Sequence, residues 1–164
     1  RRVLFLGAGG AVRAVAFAFL GRAKPDRLTV LGRTPARVRA LVDELAGRSG
    51  GVKVEAGDLR ADLERAMADH DVLIQGTPTG MYPEWMSDTL VPAELLRPGH
   101  IVFDMVYRPI KTRLVREAEA AGCRVVLGLE MLLSQAALQF ELWTNAPAPA
   151  NAMRQALVDA LDKT

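Results

Sequence analysis

The sequence predicts an α/β fold: a doubly wound parallel sheet of about six strands, helices on both of its faces, and a C-terminal helix. Three observations carry this expectation. Short apolar runs at 3–7, 28–31, 52–55, 72–75, 101–105 and 124–127 alternate with amphipathic stretches near 11–23, 35–47, 59–69, 111–122 and 129–143. The runs are apolar throughout instead of alternating with polar residues, as a sheet covered on both faces requires. The first run breaks into glycines and then into a helical pattern, Val-Leu-Phe-Leu-Gly-Ala-Gly-Gly-Ala-Val-Arg-Ala over 3–14. Right-handed crossovers then give the strand order 3-2-1-4-5-6.

The elements have local causes. Thr34-Pro35 offers a side-chain cap followed by a proline at the first helical position, and Gly47 through Gly51 ends that helix. Asp58 is the expected cap of the next helix, and the Ala121-Gly122 step closes the one from Lys111. Between Gly76 and Pro98 runs a long connection with three internal prolines, placed after the fourth strand where ligand-binding loops of such sheets gather. Asn145 to Ala150 breaks the helix before it, and a last amphipathic helix puts Met153, Ala156, Leu157, Ala160 and Leu161 on one face.

At 164 residues, with 50% hydrophobic and 24% charged residues, the chain fits one globular domain with a sizeable core. A net charge of +2, from arginines spread along the chain, gives no nucleic-acid surface. Cys123 is the only cysteine, which excludes an internal disulfide and suits a reducing cytoplasm. No apolar stretch approaches the ~20 residues of a membrane span, and no signal peptide is recognisable. The chain reaches its first strand after two residues and without an initiator Met, which suggests a domain of a longer protein.

The glycine passage is a candidate dinucleotide turn. Gly7 permits a tight turn that a Cβ would obstruct, Gly9 lets the backbone approach a pyrophosphate, and the helix N-terminus at Gly10 and Ala11 favours its charge, with Ala8 between the glycines. The third small position of G-x-G-x-x-G/A is Val12 here, so Ala14 becomes the expected close contact between helix and strand. An Asp or Glu ending the second strand would hold the ribose of NAD, and none is present. Arg33, Thr34 and Arg37 stand there instead, suited to a phosphate by charge and bidentate geometry. The expected cofactor is therefore NADP, in a Rossmann-like domain covering 1–164. Two solvent-facing arginines near a helix start are the plainer alternative.

Five blocks then resemble the NADP-binding domain of the shikimate dehydrogenase family: Gly7-Ala8-Gly9-Gly10-Ala11; Arg33-Thr34 with Arg37; Thr77-Pro78-Thr79-Gly80-Met81; Asp104 to Pro109 with Thr112; and Gly128 to Thr144 with Met131 and Gln135. The chain departs from the family's usual Asn at Gly32 and its usual Asn-Ala at Gln75-Gly76. The resemblance implies reversible NADPH-dependent reduction of 3-dehydroshikimate to shikimate, a step of chorismate and aromatic amino-acid biosynthesis. It also implies a substrate domain upstream of residue 1 that carries the catalytic Lys and Asp. No catalytic residue is therefore assigned in this chain, and Lys24, Lys53, Lys111 and Lys163 fall outside that motif.

By the same resemblance Thr77, Pro78, Gly80, Met105, Val106, Gly128 and Met131 attend the nicotinamide half, and Tyr107 and Gln135 reach the substrate. Asp104 is expected to accept loop N–H groups and fix the turn presenting Tyr107. Tyr82 and Trp85 are expected to pack or form a lip, and Phe140 and Trp143 to lie in the core or between domains. His70 and His100 fall in no motif, and no His, Cys, Asp or Glu cluster has metal-ligand spacing, so no metal is expected.

The expected partners are the small-molecule substrate and the upstream domain, in a monomer or homodimer. Rival readings are a quinate or aminoshikimate dehydrogenase, a non-catalytic NADP-sensing module, and a methyltransferase binding S-adenosylmethionine. Arg33-Thr34 speaks against the last, which favours an acidic residue for the ribose.

Overall fold

The computed structural model describes residues 1–161. Strands β1 (Arg2–Leu6), β2 (Arg27–Gly32), β3 (Lys53–Asp58), β4 (Val72–Gln75), β5 (Ile101–Asp104) and β6 (Arg124–Leu127) form one parallel sheet in the order β3-β2-β1-β4-β5-β6. That is the expected order. Its reversal lies between β1 and β4, where Leu6 pairs with Leu31 on one side and Gln75 on the other, and a crevice opens beyond these strand ends.

Alternate strand residues feed two apolar layers. On one face Val3, Phe5, Val30 and Ile74 pack with Val12 and Ala16 of α1 (Gly10–Ala18) and Val38 and Leu41 of α2 (Pro35–Ala46). On the other, Leu4, Leu6, Leu73 and Val102 meet Met67 of α3 (Leu63–Asp69) and Leu114 and Ala118 of α4 (Arg113–Ala120). Helices α5 (Gly128–Thr144) and α6 (Ala150–Leu161) follow, linked by Arg154 Nη1 donating to Glu130 Oε1 at 2.7 Å. No helix among the described residues is long and apolar enough to cross a membrane.

Several local expectations are corrected. The third strand is longer than its apolar run, and none of its residues is buried, because β3 is a sheet edge. The first helix leaves α geometry at Ala18 and ends in a wider π turn over Phe19–Ala23, where Lys24 N–H donates to Phe19 O at 3.0 Å. Thr34 holds the N-cap position before Pro35, yet its side chain makes no capping bond. Asp58 does not cap α3: its Oδ1 accepts from Arg60 N and Ala61 N, a turn that delays the helix to Leu63. Ala14 is exposed, and Val12, fully buried, makes the close contact with the sheet. On α6, Met153, Leu157 and Leu161 are half-buried while Ala156 and Ala160 face outward.

The other end signals hold. Gly122, at φ +74°, follows the end of α4, and Asn145 closes α5 in the left-handed region. Thr112 caps α4 with its hydroxyl accepting from Val115 N at 3.2 Å.

Candidate functional site

Two clefts meet at the carboxyl edge of the sheet. The first, of about 270 Å³, is bounded by Gly7, Ala8 and Gly9 after β1, by Arg33, Thr34 and Arg37 after β2, and by Thr77 and Pro78 after β4. Gly7 has φ +105°, and a Cβ there would lie 3.0 Å from Thr77 Cγ2 and 3.2 Å from Gly76 O, so the turn accepts glycine alone without strain. Its N–H donates to Leu31 O at 2.7 Å and ties the turn to β2. Nothing lies within 4 Å of a Cβ built on Gly9 or Gly10. The first turn of α1, whose N–H groups lack acceptors within the helix, therefore opens onto free space suited to an anion.

The charge of this cleft is one-sided. Arg33 and Arg37 are exposed, neither has an ion-pair partner among the described residues, and no carboxylate lines the cleft. Such a wall fits a phosphate on the adenosine ribose better than bare ribose hydroxyls. At Gly32, where the family usually has Asn, an added Cβ would lie 2.6 Å from Val38 Cγ2, so the valine fills the space that side chain would need.

The second cleft, about 550 Å³, shares Gly76, Thr77 and Pro78 with the first and continues past Ala11, Met105, Val106, Tyr107 and Met131. Its lining is mainly apolar, as a dry seat for a planar ring requires. Met105 and Val106 are buried, while Tyr107 is 42% exposed at the mouth. The floor is held by Asp104, fully buried, which accepts from Val106 N at 3.1 Å and from the Thr112 hydroxyl at 2.6 Å. Burial pushes this carboxyl up to about 6, against the lowering effect of those two bonds. Of the loop N–H groups expected at Asp104, one, Val106 N, reaches it, and the Thr112 hydroxyl takes its other oxygen.

Four predicted residues stand outside both linings. Gly10 begins α1. Gly80, at φ +92° and against Thr112, shapes the loop behind the cleft. Gly128 begins α5, where a Cβ would lie 2.4 Å from Val106 O, so its contribution is close packing of helix on loop. Gln135 is exposed one turn beyond Met131.

Residues beyond the expected site contribute as well, among them Tyr82, expected to pack or form a lip. Tyr82 and Arg108 line the second cleft, with Tyr82 N donating to Arg108 O at 2.8 Å and the guanidinium 4.4 Å above the ring. The Gln75 amide is hydrogen-bonded to Thr77 and Thr79 in the loop between the clefts. His70 and His100 are buried away from both clefts. No group of three or more His, Cys, Asp or Glu able to hold a metal occurs among the described residues.

Comparison with known proteins places this geometry. The profile of the Shikimate / quinate 5-dehydrogenase family matches residues 1–84, and that of the Shikimate 5'-dehydrogenase C-terminal domain matches 128–158. The chain belongs to the shikimate dehydrogenase family. A family member from Methanopyrus kandleri, the shikimate dehydrogenase (NADP(+)), is 44% identical over 159 residues, covering 96% of this chain and 54% of that protein.

Solved structures of two further family relatives superpose on the fold. Quinate dehydrogenase from Corynebacterium glutamicum in complex with NAD is 32% identical with a TM-score of 0.88, over 96% of this chain and 55% of that one. Shikimate 5-dehydrogenase from Thermus thermophilus in complex with NADP(H) and shikimate is 40% identical with a TM-score of 0.79, over 97% and 55%. The chain thus spans about half the length of the relatives it matches.

Proposed function

We propose that this chain is the NADP-holding half of a shikimate dehydrogenase, which reduces 3-dehydroshikimate reversibly to shikimate. The observation that carries the reading is the first cleft: a glycine turn facing two guanidiniums that have no ion-pair partner among the described residues, none of which brings a carboxylate to its lining. The bound cofactor would supply hydride from its reduced nicotinamide. Gly7, Gly9 and the start of α1 bind the pyrophosphate, while Arg33, Thr34 and Arg37 bind the 2′-phosphate. Met105, Met131 and Pro78 exclude water from the ring, and Gly80 and Gly128 brace the loops around it.

Tyr107 donates a hydrogen bond to the substrate, and Gln135 contacts its hydroxyls from α5. Lys24, Lys53 and Lys111 line neither cleft, and Lys163 lies outside the described residues. The acid–base pair belongs to the substrate domain, which closes over the second cleft to complete the site.

A second reading, a quinate dehydrogenase using NAD, draws on Gly32. The usual Asn contact to the ribose phosphate is absent there, and the Corynebacterium glutamicum relative was solved in complex with NAD. An assay of the full-length protein with shikimate and quinate, each against NADP and NAD, separates the two. The first reading expects the highest kcat/KM for shikimate with NADP. Turnover only of quinate with NAD overturns it, and cofactor binding without turnover of either points to a sensing module.

A further inference from the structure

We infer that Gln75 is a positioning residue for cofactor binding, the anchor that fixes the wall shared by the two clefts. The inference rests on the reading that one dinucleotide spans both. Gln75 ends β4 at the switch point of the sheet, between Leu6 of β1 and Asp104 of β5, and is 2% exposed. Its amide is used completely. Oε1 accepts from Thr77 N at 2.7 Å and from the Thr77 hydroxyl at 2.8 Å, while Nε2 donates to Thr77 O at 3.1 Å and Thr79 O at 2.9 Å. Two donors and two acceptor positions are all a glutamine amide offers, and here the loop immediately after the strand takes every one.

This arrangement decides what the loop can do. Both donors of Thr77, its N–H and its hydroxyl, are spent on Gln75, and the Thr77 hydroxyl oxygen also accepts from Thr79 N at 3.3 Å. Thr77 is therefore a strut. What it turns toward the glycine turn is its methyl, 3.0 Å from the place where a Cβ on Gly7 would lie. A chain of contacts runs from the buried amide through Thr77 to Gly7, locking the loop after β4 against the pyrophosphate turn after β1. Gly76, Thr77 and Pro78 belong to both cleft linings, so the amide sets the spacing between the anion end and the apolar end of the site. A ligand that bridges both ends feels that spacing. A ligand confined to the first cleft touches only one side of that wall and feels it less.

The test uses this difference, with the full-length protein and two probes: NADP, which spans both clefts, and adenosine 2′,5′-bisphosphate, which needs only the first. Gln75→Met keeps the length of the side chain and removes all four bonds. Gln75→Glu keeps the acceptor for Thr77 but sets a carboxylate oxygen against two carbonyl oxygens. With near-UV circular dichroism confirming a native fold, both variants are expected to raise the Kd for NADP at least tenfold and that for the bisphosphate less than threefold. Should one variant fail to fold, the other carries the comparison. Unchanged affinity for NADP, or equal losses for the two probes, overturns the inference. Failure of the unsubstituted protein to bind either probe overturns the cleft assignment itself, and the inference with it.

Discussion

Val12 occupies the volume that a side chain on Gly76 would need: a Cβ built on Gly76 lies 2.2 Å from Val12 Cγ2. A dinucleotide turn usually has a small residue at the position of Val12, because the helix must approach the strand beneath it. In this chain the bulk sits on α1 and the space is opened in the loop after β4. The departure from the general dinucleotide spacing at 12 and the departure from the family pattern at 76 are one packing solution.

Gly76→Ala should therefore destabilise the protein by about 1–3 kcal/mol, the usual cost of overpacking a filled core. In a Val12→Ala background the same substitution should cost much less. A double-mutant cycle by urea unfolding gives the coupling directly, and additive effects would separate the two residues.

Asp104 should make stability fall as pH rises. Its carboxyl titrates near 6 in the folded protein against an ordinary 3.8. Below about 3.8 both states hold the proton and nothing is lost. Between 3.8 and about 6 the unfolded chain releases a proton that the folded one keeps, so the folded state loses ground up to about 3 kcal/mol. Asp104→Asn should flatten this part of the profile. An unchanged slope in urea unfolding between the ordinary carboxylate range and neutrality would contradict the assignment.

His70 should act in the opposite direction. Its Nδ1 lies 2.7 Å from Ala66 O, which can only accept, so the proton sits on Nδ1, and Nε2 accepts from the Thr29 hydroxyl at 2.9 Å. Burial holds this imidazole below the usual 6.5. As pH falls through 6.5 the unfolded chain binds a proton that the folded one refuses, and stability declines. An NMR titration should place the His70 midpoint below 6.5, and one at or above it contradicts the neutral pairing.

Gln135 is exposed on the turn of α5 beyond Met131 and lines neither cleft, a position open to a substrate held by another domain. Gln135→Ala in the full-length protein should raise KM for shikimate several-fold and leave the Kd for NADP unchanged. Loss of cofactor affinity would make it part of the cofactor wall instead.

Much of this is legible in sequence because its causes are local. Apolar runs between amphipathic stretches lead to the strand order, Gly7 announces its turn, and Asp104 is legible as the residue under the turn to Tyr107. What stays hidden depends on pairs far apart in the chain. Nothing near Val12 reveals that Gly76 makes room for it, so the local pattern points to Ala14 for the contact that Val12 makes. Asp58 has the chemistry of a helix cap, but its carboxylate finds Arg60 and Ala61 first and holds a turn. In sequence Gln75 stands out only as a departure from the family's usual Asn, and its four hydrogen bonds to Thr77 and Thr79 appear only in the structure. Arg108 gains its place by stacking on Tyr82, which comes from the separate loop after β4.

Whether Arg33 and Arg37 grip a phosphate on the adenosine ribose is decided by titrating NADP and NAD against the protein and its Arg33→Ala variant. NADP should bind more tightly than NAD, and the substitution should cost about 1.5–3 kcal/mol for NADP with little change for NAD, the scale of a charge-assisted hydrogen bond. Equal affinities for the two cofactors, or an equal loss for both, would refute the phosphate grip.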